Sequence, residues 1–247
     1  MPSGDPARLR PVAEAAFWGF FGGFALVIGA LIALLPRRPI PPHVIAYIMA
    51  FGAGVLVSAV SFDLTGEAIE IGGGDATALG LASGALAFFG GDYVLRRRRG
   101  GASDEDPEGI ALGALLDGIP ESAAIGLTLI GGGKVSVSFI AAVFISNLPE
   151  SISASAEMKS KRSRRWILTL WFAIAIASAV AAVVGYQALG DASGDAVAFV
   201  KAFAGGAILC MLADTMFPQA YAKADMSLGV GLATVFGFAL AALLASA

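Results

Sequence analysis

The sequence predicts an all-α, polytopic membrane protein of eight transmembrane helices with both termini extracytoplasmic. Three observations predict it. Apolar runs of about 20 residues, the length a helix needs to cross a hydrocarbon core, recur along the chain. Of its 247 residues, 57% are hydrophobic and only 14% charged, with a mean hydropathy of +0.79, whereas a soluble domain carries about 25% charged residues. Lys and Arg gather at alternate breaks between the runs, as they do on the cytoplasmic side of a membrane protein.

The predicted spans are 16–36, 43–64, 76–95, 109–130, 135–158, 166–187, 196–218 and 226–246, forming one transmembrane domain over 1–247. The first run, Ala15 to Leu35, is longer than a signal-peptide core and ends in Arg37 and Arg38, so it reads as a span. Arg37 to Pro42 closes it, and His43, the one histidine, reads as a cap or loop residue after Pro41 and Pro42. Gly72 to Gly74 separates spans two and three. Residues 96–108 form a basic and then acidic cytoplasmic loop, whose carboxylates suit the start of the fourth helix. Asp92 stands four residues before Arg96, the spacing of a local ion pair. The remaining breaks are Gly131 to Gly133, Lys159 to Arg165, Gly190 to Gly194 and Tyr221 to Asp225.

Arg37 with Arg38, Arg96 to Arg99, the five basic residues from Lys159 to Arg165, and Lys223 fall on one side; they make up twelve of the sixteen basic residues. That side is predicted to be cytoplasmic, in a multi-pass plasma (inner) membrane protein. A single Cys, Cys210, excludes an internal disulfide and reads as a small buried apolar residue. The 32 Gly and many Ala suit closely packed membrane helices and permit a homodimer. Nothing calls for a nucleic-acid partner or a tightly bound cofactor. No Gly-x-x-x-x-Gly-Lys-Ser/Thr sequence is present, so the chain itself is not an ATP-driven pump.

Two stretches carry the chemistry: Asp117-Gly118-Ile119-Pro120-Glu121 and Ser146-Asn147-Leu148-Pro149-Glu150. An ionisable residue inside a span is costly and marks function by default. Positions i and i+4 share a helix face, so Asp117 points with Glu121 and Ser146 with Glu150. Asp117 and Glu150 each lie about eight or nine residues from the cytoplasmic ends of spans four and five, hence at matching depth near mid-bilayer. Asp117, Glu121, Asn147 and Glu150 are thereby expected to converge on one cavity. Carboxylates gathered in a dry interior share protons or bind a cation. Pro120 and Pro149 each free a carbonyl four residues earlier, on Leu116 and Ile145, which must line a polar cavity. Carboxylates, an amide and carbonyls make an oxygen-rich site for a divalent cation. Asp63, Glu67 and Asp214 are further acidic residues near span ends.

These paired motifs resemble those of the ZIP (Zrt/Irt-like protein) family of divalent metal transporters, whose fourth span carries His-Asn-x-Pro-Glu and whose fifth ends in Pro-Glu. The run from Ala53-Gly54-Val55-Leu56 to Glu67-Ala68-Ile69-Glu70 is similar to the family's second span. Gly205-Gly206-Ala207 through Asp214-Thr215-Met216-Phe217-Pro218 is similar to its seventh. Asp117 and Gly118 stand where the family has His and Asn, Ser146 replaces the first ligand of span five, and Asp214-Thr215 replaces a His-Glu pair. Span six lacks the acidic residue that serves a second metal.

The resemblance implies uptake of a divalent cation, zinc first, at one site made of Asp117, Glu121 and Glu150 with Asn147 and Ser146. The loss of nitrogen ligands makes manganese and ferrous iron plausible and magnesium conceivable. Entry is expected past Asp63 and Glu67, and exit past Asp214. An elevator-like movement of the metal-bearing helices is implied by the resemblance alone. Proton coupling is plausible because a bound metal displaces carboxylate protons. Two rivals stand beside this reading. One is an intramembrane aspartyl protease using Asp117 and Asp214, which leaves the paired Glu residues unexplained. The other is a transport-inactive homologue acting as metal sensor or scaffold.

Overall fold

The computed structural model describes residues 6–35, 40–98, 107–129, 136–187, 193–224 and 226–245. The expectations placed on Arg37 and Arg38, the acidic stretch 99–106, Gly131 to Gly133 with Lys134, Gly190 and Asp225 lie outside the described residues. The described chain is helical throughout: α1 (Pro6–Leu34), α2 (Pro42–Ala59), α3 (Glu67–Arg98), α4 (Pro107–Leu127), α5 (Val137–Met158), α6 (Arg164–Gln187), α7 (Gly194–Met211), α8 (Phe217–Lys223) and α9 (Ser227–Ala245). Wide π-helical stretches join α2 to α3 over Val60–Gly66 and α7 to α8 over Leu212–Met216.

The breaks follow from local chemistry. Pro41 and Pro42 start α2, with His43 in its first turn. Ser136 and Ser193 cap α5 and α7, accepting from the amides of Phe139 and Ala196. Gly73, at φ 74°, breaks the long helical run between α2 and Arg98. That backbone region favours glycine, and the Thr77 hydroxyl donates to the Gly73 carbonyl at 2.8 Å. Pro120 and Pro149 sit inside α4 and α5 as expected.

Five helical stretches among the described residues are long and apolar enough to cross a membrane: Arg10–Leu34, Pro42–Arg97, Val137–Met158, Arg164–Gln187 and Gly194–Lys223; Leu228–Leu244 is a shorter apolar helix. The 56-residue stretch Pro42–Arg97 is nearly three times what one bilayer crossing needs. Its packing explains this. Gly52 lies against Met216, Gly205 against Val60 and Lys201 against Glu67, so the run from α2 through Val60–Gly66 to Glu67 lies antiparallel to the run from α7 to Met216. Gly72 lies against Ala198 and Gly84 against Phe203, so α3 runs parallel to α7. The chain therefore reverses direction around Gly73.

The helices sort into two groups. α1, α4, α5 and α6 pack chiefly on one another; α3 packs on α7 and α2 on α9, and these two pairs meet through the π-helical stretch Val60–Gly66, which lies against α7. Within each group backbones touch. A methyl carbon added at Gly126 of α4 would lie 1.9 Å from the Ala182 carbonyl of α6, and one at Gly84 of α3 would lie 1.9 Å from the Phe203 carbonyl of α7. Across the boundary α2 also packs on α5, where a methyl carbon at Gly52 would stand 3.0 Å from the Ser146 Cα. Trp171 of α6, fully buried, donates its indole N–H to the Ser155 Oγ of α5 at 2.8 Å and fixes that pair. Large apolar side chains such as Leu86, Val184, Val235 and Phe236 face outward, while Ser122, Ser146, Ser151 and Ser155 are buried. That inside-out distribution suits a lipid solvent.

Candidate functional site

A cavity of about 400 Å³ lies between the two groups of helices. α4 contributes Asp117 and Glu121, α5 contributes Ser146, Glu150, Ser153 and Glu157, and the π-helical stretch after α7 contributes Asp214, Thr215 and Met216. Met49 and Met211 add two more thioethers. Asp92, Arg96 and Lys223 also line it, so the cavity reaches the end of the molecule that carries the basic residues.

The prolines place the acids. Each removes an amide donor from the hydrogen-bond ladder one residue before a Glu, and both Glu side chains line the gap. Asp117 is 8% exposed and Glu121 3%. Glu121 Oε2 is buried and receives no hydrogen bond. Asp117, Glu121 and Glu150 lie within electrostatic reach of one another. They line one cavity without closing up: among the described residues, no three His, Cys, Asp or Glu side chains stand close enough to hold one metal ion.

Not every expected residue faces this space. Asn147 is buried and donates its side-chain amide to the Gly22 carbonyl of α1 at 3.1 Å, tying α5 to α1 and leaving the cavity without an amide from this position. Ser146 lines the cavity, but its hydroxyl donates to the Val143 carbonyl one turn back. Asp214 lines the cavity as an exposed residue. Cys210 differs from expectation: it is half-buried, with its Sγ 3.6 Å from Asp214 Oδ2. The Asp92–Arg96 pair is present at 2.5 Å and stands at the cavity wall.

Asp63, in the π-helical stretch after α2, and Glu67, at the start of α3, lie at the other end, about 20–27 Å along the helical run from Met49. Asp63 accepts hydrogen bonds from Ser136 at 2.9 Å and from Ser138 at 3.2 Å, which joins α2 to α5 across the group boundary. Glu67 is ion-paired to Lys201 of α7. At the cavity mouth a second cross-group bridge runs from Lys223 to Glu157 at 3.0 Å and to Ser153. Sequence reasoning missed both the Lys201 and the Lys223 pairings. The available signal was a lysine inside the apolar run of span seven.

No family model matches the chain. The chain is 26% identical over 193 residues to a protein of Arabidopsis thaliana named "Putative zinc transporter". The match covers 74% of this chain and 31% of that plant protein, so the chain spans about a third of its length.

Proposed function

We propose that the chain is a multi-pass membrane transporter of divalent metal cations, with zinc as the first expected substrate and manganese and ferrous iron as alternatives. The observation that carries this reading is the Glu121 carboxylate: buried, with one oxygen unpartnered, on the wall of a cavity it shares with Asp117 and Glu150. A buried acceptor without a donor costs about 1–3 kcal/mol. A cation entering that space relieves the cost and the mutual repulsion of the three acids together.

The chemistry of the wall fits a borderline metal. Carboxylate oxygens alone suit magnesium or manganese, and the thioethers of Met49, Met211 and Met216 add the softer donors that magnesium does not use. The nearest cation ligands in this reading are Asp117, Glu121 and Glu150, with Ser146 beside them. Asn147 acts through position, holding α5 against α1. Because the three acids stand apart, binding would draw the α4 and α5 walls inward and exclude water.

The two helix groups suit carriage of the ion by relative movement. Backbone contacts tie α4 to α6, α3 to α7 and α2 to α9, and the cavity lies between α4 with α5 on one side and the stretch after α7 on the other. With the basic end cytoplasmic, eight spans and both termini outside, this conformation opens inward, toward Asp214 and Lys223. At the far end Asp63 accepts hydrogen bonds from Ser136 and Ser138, which tie α5 to the stretch after α2. Uptake across the plasma membrane, without ATP and without enzymatic activity, is the direction taken from the resemblance to ZIP transporters and from the similarity to the plant protein.

The alternative is a transport-inactive sensor or scaffold, favoured by the spacing of the acids. Equilibrium dialysis of the purified protein against zinc, manganese, ferrous iron, cadmium and magnesium tests the site. Binding of a transition metal that is lost in E121Q and in E150Q is the expected result. Equal binding by parent and both variants would refute the assignment. Binding without flux in liposomes would favour the sensor.

A further inference from the structure

Lys223 is a charge on the cavity wall that the proposed ligand set does not use. It stands in the last turn of α8. Its ammonium is ion-paired with Glu157 Oε1 at 3.0 Å and donates to Ser153 Oγ, both on α5. All three residues line the cavity. Ser146, Glu150, Ser153 and Glu157 follow one another along α5 at steps of four, three and four, so they form one polar stripe on a single helix face. The stripe begins at buried Ser146 and ends at exposed Glu157. Through Ser153 the ammonium is fastened about 4.5 Å of helix rise from Glu150. Arg96, also on the wall, is paired with Asp92 on its own helix. Lys223 instead reaches across to the opposite helix group.

As a brace the pair is weak. Its side chains are 23% and 45% accessible, and ion pairs so open to solvent add little to stability. As a charge it counts for more. Six Asp and Glu residues line the cavity, and inside it a divalent ion feels each fixed charge more strongly than in water. Acids alone would hold the ion firmly and let it go slowly, whereas a carrier must admit and release it. We propose that Lys223 is the resident counter-cation of the cavity. Its ammonium, seated on the α5 stripe at Ser153 and Glu157, weakens cation binding at the inner acids and speeds release toward the mouth. The outer acid, Glu157, is already engaged by Lys223, while Glu121 Oε2 deeper in has no donor and is left for the ion. The effect on metal rests on the transporter reading, whereas the positive potential that Lys223 sets in the cavity does not.

The test uses the full-length protein with K223M, K223Q and K223R, and reads zinc and manganese affinity by equilibrium dialysis together with release of each metal into excess chelator. K223M is expected to bind either metal about tenfold more tightly, for loss of one unit charge near a divalent ion in a partly wet cavity. Release should slow in proportion. K223Q keeps a donor for Ser153 and Glu157 but not the charge, and it is expected to match K223M; a merely structural lysine would leave K223Q like the parent. K223R is expected to keep parental values. K223Q carries the test alone if K223M fails to fold. A second measurement needs no metal. Gly113 lines the cavity, and a methyl carbon there meets no atom within 4 Å. In a Gly113→Cys, Cys210→Ser background, thiol modification by a cationic methanethiosulfonate is compared with that by an anionic one. The ratio of the two rates is expected to rise about threefold or more when K223M or K223Q is added. Parental affinity in K223M and K223Q, or an unchanged rate ratio, overturns the proposal. A parent that binds neither metal counts against the transporter reading, and a raised rate ratio still supports the counter-cation.

Discussion

Replacing Glu121 by Gln separates a ligand from a structural polar group by the sign of its effect. In the metal-free protein, Glu121 Oε2 is buried without a donor and faces two other acids. Gln keeps the shape, removes a charge and offers an N–H to Asp117 or Glu150. Relief of one unsatisfied buried acceptor is worth about 1–3 kcal/mol, so E121Q should melt higher than the parent in chelator. With metal at about one hundred times its dissociation constant, the parent gains about 2.7 kcal/mol from binding. E121Q, lacking a ligand, should gain little, so the order of stability reverses. The assay is thermal unfolding in detergent with and without zinc or manganese, scored by loss of the monodisperse species. A variant less stable than the parent in chelator, yet equally stabilised by metal, would show that Glu121 serves packing alone and would refute the reasoning.

Further predictions follow from the same geometry. Metal and protons compete for the carboxylates of Asp117, Glu121 and Glu150, so apparent affinity should rise with pH and fall on acidification; a pH series of dialysis isotherms checks this, with a shallower dependence expected for E150Q. Gly126→Ala places a methyl 1.9 Å from the Ala182 carbonyl and should destabilise the protein by about 1–3 kcal/mol, whereas Gly118→Ala meets no atom within 4 Å and should be tolerated, both read by melting temperature. Asp63 and Ser138 bridge the two helix groups, so a cysteine pair at these positions in a Cys210→Ser background should cross-link on oxidation, stop uptake, and release it on reduction. N147A should reduce stability more than metal affinity, because its amide holds the Gly22 carbonyl and does not face the cavity.

The parts of the fold that were legible came from strong local chemistry. Long apolar runs and clustered arginines mark helices and their ends, and Gly73, inside α3, turns the chain back because a positive φ falls where three glycines stand together. A Pro-Glu pair inside an apolar run is conspicuous in the same way, and Glu121 and Glu150 do share a cavity. What stayed hidden depends on partners far away in sequence. The direction of the Asn147 amide is set by Gly22, 125 positions earlier, whose missing side chain exposes a carbonyl of α1. Lys201 and Glu67 are 134 positions apart and meet only because the start of α3 is folded against α7. The π-helical stretches carrying Asp63 and Asp214 have no signature in hydrophobic spacing, since one extra residue per turn changes the face of everything that follows. Cys210 is likewise half-buried beside Asp214, four positions on, where the apolar run around it predicted full burial.

Radiometal uptake into liposomes holding the purified parent or E121Q tests the central claim most directly. The account predicts saturable zinc or manganese entry by the parent, with little magnesium entry, and a loss of at least about a hundredfold in E121Q, the equivalent of 2.7 kcal/mol of ion binding. Uptake by E121Q at the parental rate, with the same saturation, would contradict it.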